Sequence, residues 1–434
     1  MSTTRYDVII IGAGAAGMLA ALEIALTGRV VAVIEAKDRT GGRIHTINYT
    51  GFEKPVEMGA EFVHGDLPTT VNLFEKAGIK KHSATGEAWE YKEGALEKRR
   101  DFIEDYDALV KKFKSLNNDI SVADFMKQYL ADSQYEELRA SLKNYVQGYY
   151  AGDIDKASTY ALYEELTGGE EKDYRVDGGY GQLAAWLEKQ TRAKGVQFFL
   201  LEEVREINWK TLDVEIVTNK QTLHGKKVLV TVSIGVLQSE MIRFSPALPG
   251  KMSAAKKLGF GHAIKTNLQF TGPFWKDKAF TRGKKMSKLN FLFSNQPIPT
   301  WWTQHPRKEA LLVGWLAGPP AESVTTVAKD VVVENAMQSL AQIFSMEPAL
   351  LQQKLLAAAW YNWSADKHFY GAYSYSVVDG EAIIKSMIEP VENTIYFAGE
   401  GLHHGNEIGT VEAALTSGRN VARQLIAQFD STIY

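Results

Sequence analysis

The chain has 434 residues, no cysteine, and 49 Lys+Arg against 52 Asp+Glu, a formal net charge of −3. That length allows two or three domains with a sizeable core, and 45% apolar with 23% charged residues is the balance of a globular chain, not a disordered or fibrous one. The absence of cysteine excludes disulfides, thiolate zinc sites, iron–sulfur clusters and sulfur nucleophiles, and the near-neutral charge offers no footprint for nucleic acid.

Asp7–Ile11 (DVIII) is an apolar, β-branched run of the kind buried in a parallel sheet. It leads into Gly12-Ala13-Gly14-Ala15-Ala16-Gly17 and then the helix-forming stretch Met18–Leu26, which Gly28 ends. Val30–Ile34 predicts a second buried strand finishing at Glu35, so the first 35 residues read as one βαβ unit. Val8–Leu22 is fifteen residues without a charge, short of the roughly 20 a membrane span needs. The longer uncharged run Leu289–Pro306 is broken by Pro297 and Pro299. A soluble, cytoplasmic protein without membrane partners is expected. From about Trp89 to Glu171 the composition turns charged and helical, with helices predicted over Asp101–Lys114 and Ser133–Tyr145. A helix over Gln182–Ala193 follows, then strands over Val196–Leu200, Asp213–Thr218 and Lys227–Val232. Further strands are predicted at Ala310–Leu316 and Thr394–Phe397, and a last helix from about Thr410 to Phe429.

The glycine motif sits between a strand and a helix, with an acidic residue 18 positions after its third glycine. That context is the dinucleotide fingerprint. Gly12 makes the tight turn, Gly14 lets backbone approach a pyrophosphate, and Gly17 lets the helix pack on the strand. The helix N-terminus faces the anion. Glu35 accepts from a ribose diol and repels a 2′-phosphate. Gly41-Gly42-Arg43 makes a second clamp on the pyrophosphate, and Tyr396-Phe397-Ala398-Gly399-Glu400 returns a third element to the same cofactor. Three separated contact regions fit a long, permanently held cofactor such as FAD better than an exchangeable nicotinamide.

Further blocks follow in order: Glu57-Met58-Gly59-Ala60-Glu61-Phe62-Val63-His64-Gly65, Val176-Asp177-Gly178-Gly179, Val230–Leu237, Lys265, Trp363 with Gly371-Ala372-Tyr373, and Gly409-Thr410-Val411-Glu412 after Glu400. Over essentially its whole length the chain resembles the flavin-containing amine oxidases, the monoamine and polyamine oxidases and their histone-demethylase relatives. The resemblance implies an α/β fold: a discontinuous Rossmann-type FAD-binding domain (1–82, 175–244, 390–434) with a mixed α+β substrate-binding domain (83–174, 245–389). It implies that Gly14, Ala15 and Ala16 meet the FAD phosphates, with Glu35 at the adenosine ribose and Gly42 and Arg43 at the pyrophosphate. Val204 would read adenine through its backbone. Gly59, Ala60 and Glu61 would run beside the isoalloxazine, Gly399 and Glu400 would touch the ribityl–phosphate region, and Thr410–Val411 would face the flavin pyrimidine.

Lys265 alone reads as a snorkelling lysine at a strand edge; the resemblance implies instead a lysine holding water against flavin N5 and assisting reoxidation by O2. It likewise implies that Tyr373 and Trp363 are aromatic walls orienting an amine. Ala372 occupies the position of the cysteine that tethers FAD in monoamine oxidases, so non-covalent FAD is expected. His403-His404-Gly405-Asn406-Glu407 lacks the second aromatic wall, and His404 is the candidate substitute. No metal is expected there. Glu61 and Phe62, where amino-acid oxidases carry an arginine, favour a cationic substrate; His64 in the same block reads equally as structural. The predicted enzyme transfers a hydride from an amine α-carbon to flavin N5 and returns the electrons to O2, giving peroxide. The rivals are an L-amino-acid oxidase, with Arg243, Arg282 or Arg307 gripping the carboxylate, and a flavoprotein scaffold with vestigial activity.

Overall fold

Short runs of buried β-branched residues build the first sheet. A computed structural model describes residues 5–65, 67–99, 103–168, 172–326, 328–405 and 407–431; Arg100, in a basic cluster at the helical insertion, and Asn406 lie outside them. Gln197–Leu200, Val31–Glu35, Arg5–Ile11, Thr222–Val230 and Ile395–Phe397 lie side by side, all parallel. The first half of Thr222–Val230 continues instead into an antiparallel flap of Asp213–Thr218 and Val204–Lys210, edged by Arg243–Ser245. Helix Ala15–Ala25 packs against this sheet and against helices Gly181–Ala193 and Val411–Ser431. Two glycines permit that closeness. A Cβ on Gly17 would stand 2.1 Å from the Gly12 carbonyl oxygen, and one on Gly418 would stand 2.2 Å from that of Ala16.

The second sheet has seven strands in the order Leu355–Asn362, Ala263–Phe270, Leu311–Ala317, Thr300–Thr303, Leu289–Ser294, Glu87–Lys92, Ala95–Arg99. A three-stranded sheet of Phe62–His64, Asp173–Val176 and Lys81–Ser83 is formed from segments far apart in sequence. Helices Tyr106–Phe113, Val122–Tyr129, Glu136–Gly148 and Thr159–Thr167 gather around a separate core that includes Phe113, Phe125 and Leu142.

The α/β expectation holds, and the predicted elements fall within a few residues of those observed. One reading is corrected: residues 87–99 form a hairpin, not the start of the helical insertion. Trp89 and Tyr91 point inward at period two and Leu96 faces in from the returning strand, a pattern masked by the charged residues between them. No helix among the described residues is long and apolar enough to cross a membrane.

Candidate active site

The strand Arg5–Ile11 ends at Gly12, whose φ of 106° suits glycine. Gly14 caps helix Ala15–Ala25 in an extended conformation, and a Cβ added there would find nothing within 4 Å. The space before the helix N-terminus is therefore open, with no acidic residue in the first turn. It fits a pyrophosphate. Gly42 closes on it, its own Cβ direction ending 3.2 Å from Gly14 Cα. Glu35 finishes its strand with Oε2 accepting from the Ala13 N–H at 2.8 Å and Oε1 from the Lys37 N–H at 2.9 Å. Burial pushes its carboxyl pKa up. Leu201 and Glu202 bond the backbone of Lys37 and Glu35, which brings Val204 to the same end of the sheet. Arg43 and Glu400, predicted as separate cofactor contacts, bond each other at 2.5 Å, and Arg43 also donates to the Ala372 carbonyl at 3.0 Å. Ala60 N–H donates to the Arg43 carbonyl at 3.2 Å, and Gly399 N–H to Ser417 at 3.1 Å. Thr410 caps the long helix beginning at Val411, its hydroxyl accepting from the Ala413 N–H at 3.1 Å. The glycine cradle, the acid at the strand end and this second helix N-terminus are the parts a flavin dinucleotide requires.

Lys265 lies on the interior strand Ala263–Phe270, paired on both sides and buried at all eight positions. Lys265, Asn267 and Gln269 alternate along it and share one face, where they hold the chain segment 53–61. Gln269 accepts from the Glu53 N–H at 3.5 Å, Asn267 donates to the Glu57 carbonyl at 3.2 Å and Lys265 to the Gly59 carbonyl at 3.1 Å. Lys265, 1% exposed, also donates to Glu61 Oε2 at 2.7 Å. Glu61 Oε1 accepts from Arg175 Nε, Trp302 Nε1 and Gln304 Nε2, each at 3.0 Å. Burial works to raise the Glu61 pKa, but the Lys265 and Arg175 charges outweigh it and hold the carboxyl down to about 2. Glu61 is thus the counter-ion of an internal cluster, which corrects the expectation that it meets an amine. Arg175 was not singled out in the sequence; its signal is a lone arginine in the strand-like run before Val176-Asp177-Gly178-Gly179.

Beside this cluster runs a band of rings. Tyr373 stacks on Trp315 with centroids 6.3 Å apart and planes 11° apart, and donates its hydroxyl to the Tyr149 carbonyl at 2.5 Å. Burial pushes the Tyr373 phenol pKa up. Trp302 follows Trp315 at 6.1 Å, Phe62 follows Trp302 at 5.7 Å, and His64 stacks on Phe62 at 5.9 Å. Tyr149, 47% exposed, stands 5.9 Å from His64 and forms the rim. The Lys265 ammonium lies 5.3 Å from the Trp302 ring. Trp302, Trp315 and Tyr149 were missed in the sequence; strand pairing brings the two tryptophans together, and the end of helix Glu136–Gly148 brings Tyr149.

Two predicted wall residues stand elsewhere. Trp363 is 2% exposed and packs beneath Gly59, with its indole N–H donating to the Met58 carbonyl at 2.9 Å and Phe369 against it. It supports the 58–60 segment from behind. His404 faces Glu381 at 3.8 Å and a groove between helices Gly380–Ile388 and Val411–Ser431, not Tyr373. Of the candidate carboxylate grips, Arg243 pairs with Glu206, Arg307 with Asp177, and Arg282 contacts Tyr91 and the Gln342 carbonyl. Among the described residues no group of three or more His, Asp or Glu side chains could hold a metal.

This cradle and site define a flavoprotein, and the comparison with known families agrees. The family described as flavin containing amine oxidoreductase matches residues 15–113 and 91–426, and the chain belongs to it. Lysine-specific histone demethylase 1 homolog 1 of Oryza sativa is 26% identical over 97% of this chain, which spans only 52% of that relative. Lysine-specific histone demethylase 2 of Homo sapiens is 28% identical over 97% of the chain, which spans 53% of it. The chain thus spans about half the length of these relatives. Probable polyamine oxidase 4 of Arabidopsis thaliana is 26% identical, with 98% of this chain and 88% of the relative aligned. Among solved structures, a redesigned putrescine oxidase (20% identity) and cyclohexylamine oxidase from Brevibacterium oxydans (19%) both superpose with a TM-score of 0.80, over 98% of this chain and 100% of theirs. At that identity the likeness establishes the fold.

Proposed function

We propose that the chain is an FAD-dependent amine oxidase with non-covalently held cofactor, in which residues 1–82, 175–244 and 390–434 carry the flavin and 83–174 with 245–389 the substrate. When bound, the flavin supplies the acceptor at N5 for a hydride from the amine α-carbon and a route for two electrons to O2, giving an imine and hydrogen peroxide. Gly14, Gly42 and the N-terminus of helix Ala15–Ala25 would hold its pyrophosphate, Glu35 its ribose, and Thr410–Val411 would meet its pyrimidine. Ala372 offers no thiol for a tether.

The observation that carries the substrate class is the band from Tyr373 through Trp315 and Trp302 to Phe62. It presents aromatic faces, which attract cationic and apolar amines, and among the described residues no unpaired arginine joins it to grip a carboxylate. Arg175 reaches it, over the Phe62 ring at 4.5 Å, but its guanidinium is taken up by Glu61, Asn290 and the carbonyls of Thr303 and His305. Lys265, buried and donating to Glu61 and the Gly59 carbonyl, is the residue that would face the negative charge oxygen chemistry builds. The test is an absorbance spectrum of the purified protein followed by peroxide detection with putrescine, cyclohexylamine, longer polyamines and L-amino acids. A protein that binds no FAD after reconstitution sinks the whole reading. Turnover of amino acids without amines overturns the substrate class.

A further inference from the structure

The formal charge of −3 hides an uneven distribution. Residues 271–288 connect strands Ala263–Phe270 and Leu289–Ser294, which are not neighbours: Leu311–Ala317 and Thr300–Thr303 lie between them. The connection therefore runs across one end of the seven-stranded sheet, beyond the Gln269–Leu311 pair, whereas Lys265 pairs with Trp315 toward the other end. It carries Lys276, Lys278, Arg282, Lys284, Lys285 and Lys288 against Asp277 alone. That is +5 in 18 residues, so the other 416 residues carry −8.

Phe274, Trp275, Thr281 and Met286 are buried and anchor this loop. Its backbone bonds to itself. The Phe280 N–H donates to the Asp277 carbonyl at 3.1 Å, the Gly283 N–H to the Lys278 carbonyl at 3.0 Å, and the Thr281 hydroxyl to the Lys284 carbonyl at 2.6 Å. All six cations are exposed. Asp277 is engaged within the loop, its Oδ1 accepting from the Ala279 N–H at 2.9 Å. Glu87, close enough to feel the Lys288 charge, is paired with Lys98 at 2.9 Å. Lys276, Lys278, Lys284 and Lys285 pair with no acid among the described residues. The loop is thus a fixed platform of uncompensated positive charge.

We propose that this loop seats the protein reversibly on an anionic lipid surface, a property independent of the amine-oxidase reading. Lysine presents a compact point charge without the fork that grips one phosphate from two sides, so a cluster of free lysines suits a surface of spread negative charge. Nucleic acid fits the loop less well. Its one guanidinium lies against the Tyr91 ring at 5.3 Å and the Gln342 carbonyl at 3.4 Å. It also offers no exposed ring on which a base could stack: Phe274 and Trp275 are buried, and Phe280 lies under the Lys354 ammonium at 5.7 Å. No large apolar side chain of the loop is exposed, so attachment is by charge alone, without insertion, and weakens steeply with salt.

Vesicle sedimentation with the purified full chain tests this. Wild type should pellet with phosphatidylcholine vesicles containing about 30% phosphatidylserine at about 0.1 M salt, and stay in solution with phosphatidylcholine alone or at about 0.5 M salt. At about five-fold per lysine, Lys278→Gln, Lys284→Gln and Lys285→Gln together should weaken binding roughly a hundred-fold, with the melting temperature unchanged. Binding that ignores phosphatidylserine content, a folded triple variant that binds like wild type, or no binding at all overturns the proposal. Short duplex DNA or RNA that strips the chain from the vesicles also overturns it, assigning the loop to nucleic acid instead. If the triple variant does not fold, the single variants read the five-fold step one lysine at a time.

Discussion

A lysine buried to 1% exposure would be costly alone, and Glu61 at 2.7 Å is what makes Lys265 tolerable there. The pair cannot be cut on one side without leaving a buried charge, a loss of about 3–5 kcal/mol. Lys265→Met should therefore lower stability as well as slow reoxidation by O2 far more than anaerobic reduction. Stopped-flow measurement of both half-reactions checks the split, and equal slowing refutes the role given to Lys265. Glu61 adds a pH signature. Its carboxyl falls from the ordinary 4.5 to about 2 on folding, so its stabilisation is complete above pH 4.5 and is lost as pH falls toward 2. By linkage this is about 3 kcal/mol. Chemical denaturation across that window should show wild type losing its advantage over Glu61→Gln toward the acid end. Parallel curves would remove the ion cluster from the account. Glu57 has the opposite sign: its pKa is raised to about 7, so wild type should lose stability relative to Glu57→Gln as pH climbs from about 4.5 through 7.

At the level of elements, the glycine turn separates packing from binding. A methyl on Gly17 collides with the Gly12 carbonyl at 2.1 Å, whereas one on Gly14 meets no protein atom within 4 Å. Gly17→Ala should cost about 3 kcal/mol or more. Gly14→Ala should stay within about 1 kcal/mol of wild type yet bind flavin at least about ten-fold more weakly, because the methyl enters the space kept for the pyrophosphate. Thermal melts and flavin titration on both variants check this; if Gly14→Ala binds flavin normally, the cradle lies elsewhere. The turn was legible in the sequence because its function depends on neighbours in the chain. The aromatic band was not. Trp302, Trp315 and Tyr149 meet Tyr373 and Phe62 only after a seven-stranded sheet, a three-stranded sheet and helix Glu136–Gly148 come together. Trp363 shows the reverse error: a residue in a recognisable block whose side chain turns inward under Gly59. For residues 87–99, surface charge on alternate positions resembled the helical periodicity that follows.

Across the whole molecule, the glycine cradle proposed for the cofactor and the strand carrying Lys265 are joined by backbone. Gly59 lies under Lys265 on one side, and a Cβ on it would stand 1.9 Å from the Arg43 carbonyl oxygen on the other. Arg43 in turn bonds Glu400 and the Ala372 carbonyl, which stands next to Tyr373. A flavin in the Gly14 cradle and along this segment would touch parts of both sheets, so losing it should loosen both together. With free FAD at about 100 times its Kd, the native state gains about 2.7 kcal/mol. Melting temperature should thus rise with added FAD, and a signal from Trp302 and Trp315 should shift in the same transition as the flavin. The cysteine-free sequence adds a chemical condition to that linkage. With Ala372 beside Tyr373 and no thiol anywhere in the chain, no thioether can tether a flavin, and the proposed non-covalent cofactor would be held by these contacts alone. Acid precipitation, which dismantles them, should leave all the yellow chromophore in the supernatant. Flavin that stays with the pellet would mean a covalent bond to a residue other than cysteine, and the stability of the holoenzyme would then no longer depend on free FAD.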